Sequence, residues 1–135
     1  MKSKSKLFVE IASEEGIITA RQKVRELSRD MGFSTVDQTR IATAVSELTR
    51  NLYRFAGKGM VTILNLQGDR NGIQIVCEDD GPGIADIELA MTDGYSTLKS
   101  LGLGLPGARR LIDDFQIESE PGKGTKVTVS KWLRV

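Results

Sequence analysis

The sequence predicts an α+β fold, a two-layer sandwich in which a mixed, mainly antiparallel sheet is covered by three helices. Three observations lead to this prediction. Segments with strand-like and helix-like spacing follow one another in the order β-α-α-β-β-α-β-β. No internal repeat or linker divides the chain, and 135 residues is an ordinary length for one domain. We therefore expect residues 1–135 to form a single domain.

The first half of the chain predicts one strand and two amphipathic helices. Residues 7–11 alternate well enough for a strand. Across 14–31, apolar residues recur at helical spacing, and the glycine that follows supplies a stop. A second helix begins near Ser34 and ends at the glycines of 57–59. The apolar stripe of this second helix consists of Ile41, Val45, Leu48, Leu52 and Phe55.

The second half predicts four strands, one helix and a long loop. Strands over 61–66 and 73–78 are joined by a glycine-bounded hairpin loop. The stretch 80–101 has only weak periodicity, and a loop of that length inside one domain is usually functional. A helix and a final hairpin complete the pattern, over 104–114, 116–119 and 125–133.

Composition excludes several classes of function. Lys and Arg number 19 against 18 Asp and Glu, so the basic excess of a nucleic-acid binder is missing. No apolar run approaches the roughly 20 residues that cross a bilayer, and a lone Cys77 cannot form an internal disulfide. We expect a cytoplasmic protein with neither nucleic-acid nor membrane partners. The chain has no histidine, which excludes Ser-His-Asp hydrolysis, histidine-ligated zinc and histidine autophosphorylation.

Glu47 and Asn51 form the first candidate site. A spacing of four places both side chains on one helix face, beside the apolar stripe. A carboxylate and an amide oxygen there could receive a hydroxyl proton and a hard cation such as Mg²⁺. Taken alone, the pair is more often an ordinary solvated feature of a helix surface.

A second candidate site follows a predicted strand, where three acids run into Gly81-Pro82-Gly83. Glycines permit close backbone approach to a flat ligand, and Asp79 could accept a hydrogen bond from an exocyclic amine. The competing interpretation is a plain acidic turn, because Asp-Gly and Gly-Pro are ordinary turn dipeptides.

Glycines also precede the last predicted helix. Gly102, Leu103 and Gly104 lead into it, and free backbone N–H groups at a helix start favour phosphate. The spacing Gly102-x-Gly104-x-x-Gly107 matches a dinucleotide-binding motif, but no strand leads directly into it. The segment around Thr125 lacks the spacing of a Walker A loop and alone indicates only a hairpin turn.

Together, the order and spacing of these motifs over residues 7 to 133 resemble the ATP site of the Bergerat-fold (GHKL) superfamily. That superfamily includes gyrase, Hsp90, histidine-kinase and MutL ATPase domains. Within the superfamily, the small size of the chain and its lack of histidine resemble those of the stand-alone serine/threonine kinases of bacterial partner-switching systems. These are kinases of the stressosome switch-kinase type. The segments that carry the similarity are 32–51, 56–59, 78–84, 102–107 and 131–134.

The resemblance implies ATP and Mg²⁺ as ligands and assigns roles at the adenine end of the site. Asn51 would ligate Mg²⁺, and Asp79 would accept from the adenine amino group. Gly81 and Gly83 would let the backbone approach the base. Thr125 would support Asp79 directly or through water.

The resemblance also assigns roles at the phosphate end. The backbone at Gly102, Leu103 and Gly104 would cradle the phosphates, beneath a nucleotide-dependent lid over about 90–101. Glu47 would orient or deprotonate the hydroxyl of the partner protein. Lys99 would meet the γ-phosphate as a point charge, without the bidentate geometry of an arginine. Arg109 and Arg110 are the alternatives, although ordinary solvation of the helix is the simpler role for both.

The implied function is phosphorylation of a STAS-domain antagonist protein, followed by activation of a downstream phosphatase regulator. Two alternatives stay open. One is an anti-sigma-factor kinase that binds and inhibits a sigma factor. The other is a nucleotide-gated binding module with little catalysis.

Overall fold

A computed structural model describes residues 2–84, 91 and 104–134 of the chain. The elements in these ranges begin with β1 (Lys2–Ile11), α1 (Glu14–Met31), α2 (Thr35–Ala56), β2 (Gly59–Gln67) and β3 (Gly72–Asp79). They continue with α3 (Gly104–Arg110), β4 (Asp114–Glu120) and β5 (Gly124–Trp132). Within the described ranges, no helix is both long enough and apolar enough to cross a membrane.

The strands form one five-stranded sheet in the order β1-β2-β3-β5-β4. Every ladder among the described strands is antiparallel. The predicted α+β class is therefore confirmed, and the mainly antiparallel sheet that was predicted has only antiparallel pairings in the described part. Because β3 and β5 are neighbours, the ends of two strands that are distant in sequence lie side by side.

The core lies between one face of this sheet and the helices. Alternate residues of the central strands are buried on that face, which is the period-two pattern of a half-covered sheet. The stripe of α2 packs against them, as the sequence predicts, except that Phe55 is 47% exposed. Fully buried side chains from α2, β2, β3 and β5 include Ile41, Val45, Ile63, Ile75 and Val129.

The junction between α1 and α2 follows from local sequence. Gly32 ends α1 with φ 95°, a left-handed conformation that glycine adopts without the steric cost of a Cβ. Ser34 then caps α2, because its side-chain oxygen accepts a hydrogen bond of 3.1 Å from the backbone N–H of Asp37. This short connection makes α2 antiparallel to α1 and directs the C-terminal half of α2 toward the end of β3.

The predicted helix over 104–114 is too long. α3 ends at Arg110, and Asp114 and Phe115 belong to β4. Pairing with β5 stops the helix: the backbone N–H of Asp113 donates to the Ser130 carbonyl at 3.0 Å. The Asp113 carboxylate also accepts from the backbone N–H of Trp132 at 2.8 Å. These nonlocal bonds replace the helical ones that continued propagation would form.

A buried cation ties the start of α2 to the end of the sheet. Lys131 is 6% exposed, and its Nζ lies 3.4 Å from Asp113 Oδ1 and 3.7 Å from Asp37 Oδ1. A buried charge is tolerated when it is paired in this way. The N-terminal turn of α2 is thereby held against β5 and the start of β4.

Cys77 gives a direct check on the packing of β3. The thiol is 3% exposed, and burial, with Asp79 and Glu78 nearby, raises its pKa from 9.0 to about 12. We expect no reaction with a thiol reagent at pH 8 in the folded protein, and full reaction in denaturant, since the thiolate is the nucleophile. Because the folded pKa is raised, this group favours the folded state below pH 9.0 and loses that contribution as the pH rises toward 12. Rapid labelling of the native protein would contradict this packing.

Candidate functional site

The C-terminal half of α2 carries the predicted pair. Glu47 and Asn51 lie one turn apart, and Asn51 is half-buried at the edge of the core. The Glu47 side chain is 15% exposed, and its Oε1 accepts from Arg50 Nη1 at 3.2 Å. The helix thus presents a carboxylate and an amide oxygen, whose chemistry matches proton acceptance and Mg²⁺ ligation.

Asp79 is the last residue of β3. Its Oδ1 accepts a hydrogen bond of 2.9 Å from the backbone N–H of Gly81, which fixes the turn that follows the strand. Cys77, two residues earlier, is buried in the core. Successive residues alternate between sheet faces, so Asp79 lies on the helix-covered face.

Two hydroxyl residues continue a row that begins at Asp79. The register places Thr125 of β5 opposite Asp79, and Ser119 of β4 opposite Thr125. Directly opposed residues share a sheet face, so all three lie on the helix-covered side. The hydroxyl oxygens of Ser119 and Thr125 are 2.8 Å apart.

Ser119 is a member of this site that the sequence did not reveal. Its significance comes from its position beside Thr125, which is set by strand register. A serine within a polar, alternating strand has no motif around it that distinguishes it from a solvated residue. The only signal in the sequence was the predicted final hairpin, which brings the two strands together without specifying their register.

Gly81 brings the turn after β3 against the end of α2. A Cβ at this position would lie 2.6 Å from the Cβ of Ala56, well inside ordinary contact distance. From the sequence, the role predicted for this glycine is to allow close approach of a ligand. Here, close packing of the protein on itself also requires it. As a result, the Asp79 turn and the helix that carries Asn51 are neighbours.

Gly83 fastens the same loop to the β4–β5 hairpin. It has φ 76°, and a Cβ there would collide with the carbonyl oxygen of Glu120. The Pro82 carbonyl accepts from the backbone N–H of Gly122 at 2.7 Å. One residue beyond Gly83, the backbone N–H of Ile84 donates to Ser119 Oγ at 2.7 Å.

The phosphate end is described only in part. α3 begins at Gly104, as predicted, and packs against α2 through its buried Leu105 and Ala108. The other predicted contacts with phosphate, Lys99, Gly102 and Leu103, lie outside the described residues. So does nearly all of the predicted lid.

The described side chains fit a nucleotide. Asp79 offers a carboxylate that could accept a hydrogen bond from an exocyclic amine, and Gly81 adds no side chain beside it. Asn51, on the adjoining helix, offers an amide oxygen for a cation that also holds phosphates. This combination of an acceptor edge and a hard-cation ligand suits ATP with Mg²⁺.

Gly124→Ala is expected to disturb the site through the backbone of Asp79. Gly124 has φ 105°, and a Cβ there would collide with the Asp79 carbonyl oxygen and lie 2.9 Å from the Cα of Asp80. We expect a loss of about 2–3 kcal/mol in the free energy of unfolding, measured in urea, together with weaker nucleotide binding.

Gly122→Ala is the matched control. Gly122 also has a positive φ of 79°, but a Cβ there meets nothing within 4 Å. This variant should therefore show only the left-handed strain, about 1 kcal/mol, with nucleotide affinity unchanged. Equal losses in the two variants would contradict the steric role of Gly124.

Known proteins resemble this chain over most of its length. Residues 36–135 match the family described as histidine kinase-, DNA gyrase B-, and HSP90-like ATPase. The chain is 49% identical over 127 residues to the serine/threonine-protein kinase RsbT of Bacillus subtilis (strain 168), covering 93% of this chain and 96% of the relative. It is 34% identical over 98 residues to the anti-sigma F factor of Thermoanaerobacter sp. (strain X514), covering 69% and 68% of the two chains.

Solved structures share the fold at low sequence identity. The RsbU and RsbW domains of Rv1364c from Mycobacterium tuberculosis match with a TM-score of 0.68 and 21% identity, over 97% of this chain and 33% of that one. The SiaB–SiaC complex from Pseudomonas aeruginosa matches with a TM-score of 0.57 and 10% identity, over 97% and 91%. The resemblance inferred from the motifs is thereby confirmed, and this chain belongs to the histidine kinase-, DNA gyrase B- and HSP90-like ATPase family.

Proposed function

We propose that this protein is an ATP-dependent serine/threonine kinase of a bacterial partner-switching stress pathway, acting in the cytoplasm. Its substrate would be a STAS-domain antagonist or scaffold protein, and after phosphorylation it would activate a downstream phosphatase regulator. The observation that carries the proposal is the contact between the turn after Asp79 and the end of α2 at Ala56. This contact brings the end of β3, and with it Asp79, next to the helix that bears Glu47 and Asn51, which supports a shared site for adenine and Mg²⁺.

The similarity to RsbT supports the kinase assignment, because it extends over nearly the whole of both chains. The similarity to anti-sigma F factors supports a partner-switching role more generally. Partner identity is the finer part of the proposal and rests on these relatives.

Asp79, Asn51 and Glu47 each have one role in the proposed reaction. Asp79 accepts from the base amine, and Asn51 supplies an oxygen ligand for Mg²⁺. Glu47 accepts the proton of the partner hydroxyl as that oxygen attacks. That oxygen would bond to the γ-phosphorus of bound Mg-ATP while the bond to the β–γ bridging oxygen breaks and ADP leaves. This transfer depends mainly on positioning and charge neutralisation.

The start of α3 and the loop before it would complete the phosphate end. Backbone N–H groups at Gly102, Leu103 and Gly104 are proposed to bind phosphate oxygens, and Lys99 is proposed to place its charge on the γ-phosphate. The buried contacts of Leu105 and Ala108 support this role, since they fix the helix start relative to α2.

Phosphate transfer to a purified STAS-domain antagonist is the direct test. The protein would be incubated with radiolabelled Mg-ATP and the antagonist, with an antagonist lacking its acceptor hydroxyl as the control. If the intact antagonist is labelled and the antagonist without the acceptor hydroxyl is not, the result supports the kinase function. If ATP changes affinity for the antagonist while no phosphate is transferred, the nucleotide-gated binding module is the correct function instead.

A sigma-factor assay tests the remaining alternative, which the anti-sigma F relatives favour. The purified protein would be mixed with sigma factors from the organism that encodes it, and binding and transcription would be measured. Capture of a sigma factor with inhibition of transcription would replace the proposed role by that of an anti-sigma-factor kinase.

A further inference from the structure

The Ser119 hydroxyl is the centre of a small hydrogen-bond network at the inferred base pocket. It accepts from the backbone N–H of Ile84 at 2.7 Å. It donates to the Gly124 carbonyl at 3.0 Å. Its third contact, at 2.8 Å, is with the Thr125 hydroxyl, and distance alone does not say which of the two oxygens donates there.

Counting protons resolves that direction. A serine hydroxyl has one proton and two acceptor lone pairs. The Gly124 carbonyl can only accept, so the Ser119 proton is directed to it. Both lone pairs of Ser119 are then filled, by the N–H of Ile84 and by the hydroxyl proton of Thr125. Every contact is satisfied only when Thr125 donates to Ser119.

This assignment leaves Thr125 as an acceptor toward the rest of the site. Its one proton is used by Ser119, so its oxygen presents only lone pairs to a ligand. Asp79, its register partner on β3, is a carboxylate and likewise accepts only. The register makes the two residues neighbours on one face of the sheet, so a ligand bound there meets two acceptors.

We propose that Ser119 is a specificity-determining residue, which holds the Thr125 hydroxyl as an acceptor and so favours a purine with a 6-amino group over one with a 6-oxo group. This inference rests on the proposed ATP site. ATP carries an amine donor at the 6 position, whereas inosine triphosphate carries a carbonyl acceptor there. The two protons of the 6-amino group can serve both acceptors. In inosine triphosphate the carbonyl brings no proton and the neighbouring N1–H can serve only one of them, so at least one acceptor stays unpaired.

Ser119→Ala tests the inference through binding. Affinities for ATP and inosine triphosphate would be measured by displacement of a fluorescent nucleotide. Without Ser119, the Thr125 hydroxyl can rotate and donate to the 6-oxo group. We expect the ratio of ATP to inosine triphosphate affinity to fall at least about fivefold, the effect of one net hydrogen bond. Ser119→Thr keeps the hydroxyl and should retain the wild-type ratio.

Two further variants separate this role from general loosening of the sheet. Ser130→Ala removes a buried hydroxyl from β5 at the far end of the sheet, where it accepts from Gln74 Nε2 at 3.3 Å. Its nucleotide ratio should equal that of the wild type. In a Thr125→Ala background, Ser119→Ala should leave the ratio unchanged, because the residue acts through Thr125.

The outcomes distinguish the inference from the function on which it rests. If Ser119→Ala weakens the affinity for both nucleotides equally, or leaves both affinities at their wild-type values, the specificity role is overturned while the ATP site stays intact. A persistent Ser119→Ala effect in the Thr125→Ala background would also overturn it. Failure of the wild-type protein to bind either nucleotide would instead refute the proposed function.

Discussion

Asp79→Asn is expected to weaken ATP binding by at least about a hundredfold, since it removes a charged acceptor and introduces a donor. Asp79 Oδ1 is bonded to the N–H of Gly81 at 2.9 Å. In the variant, the amide oxygen would keep that bond, so the amide NH₂ group would replace the other carboxylate oxygen. An NH₂ group facing the base amine places two donors against each other.

Titration with a fluorescent ATP analogue measures this loss, and thermal unfolding without nucleotide checks that the fold persists. Asp80→Asn is the matched control, because this substitution removes the same charge from the neighbouring residue, which is exposed. Its affinity should stay within about twofold of the wild type, as expected for a solvated surface charge. Near-normal ATP binding by Asp79→Asn would remove Asp79 from the proposed base contact.

Glu47→Gln is expected to retain nucleotide binding and to slow phosphate transfer by roughly 10²- to 10⁴-fold, the usual contribution of a general base. Glutamine has nearly the same shape and still accepts from Arg50, but it cannot take the proton of the attacking hydroxyl. Single-turnover transfer to the STAS-domain substrate measures the effect, alongside nucleotide affinity.

Arg50→Gln is the control for the ion pair itself. It removes the 3.2 Å contact with Glu47 while leaving the carboxylate in place. Because the Arg50 side chain is 54% exposed, its loss should cost little stability. If Arg50→Gln slows transfer as much as Glu47→Gln does, the ion pair matters and the proton-accepting role is wrong. Full activity of Glu47→Gln would also exclude Glu47 from the mechanism.

Much of the fold followed from local patterns. The bounds of α1 and the start of α2 depend on helical spacing, on a positive-φ glycine and on a capping serine, all of which act within a few residues. The strands were also located correctly to within a few residues, apart from β1, which begins earlier than predicted. The end of α3 was wrong, because Asp113 and Asp114 are held by bonds to β5 rather than by neighbours in sequence.

The candidate site was predictable in its residue types more than in its contacts. Asp79, Asn51 and Glu47 stood out because acids and amides beside glycines suit a cation and a base amine. Their roles, and those proposed for Lys99, Gly102 and Leu103, stay predictions. Gly81 packs against Ala56 and so brings Asp79 near α2. Neither the motif around Asp79 nor the Glu47/Asn51 pair predicts this contact.

Sequence order was therefore sufficient for the α+β class, for most element boundaries and for the family. Local propensity and spacing act over a few residues, so they can be recognised directly in the sequence. The tertiary structure alone decided that Asp79, Thr125 and Ser119 form one row, since β3 and β5 are separated by the whole 80–123 segment. Strand register depends on the packing of the entire core, so neither the donor–acceptor pattern at Ser119 nor its consequence for the base could be read from the motifs.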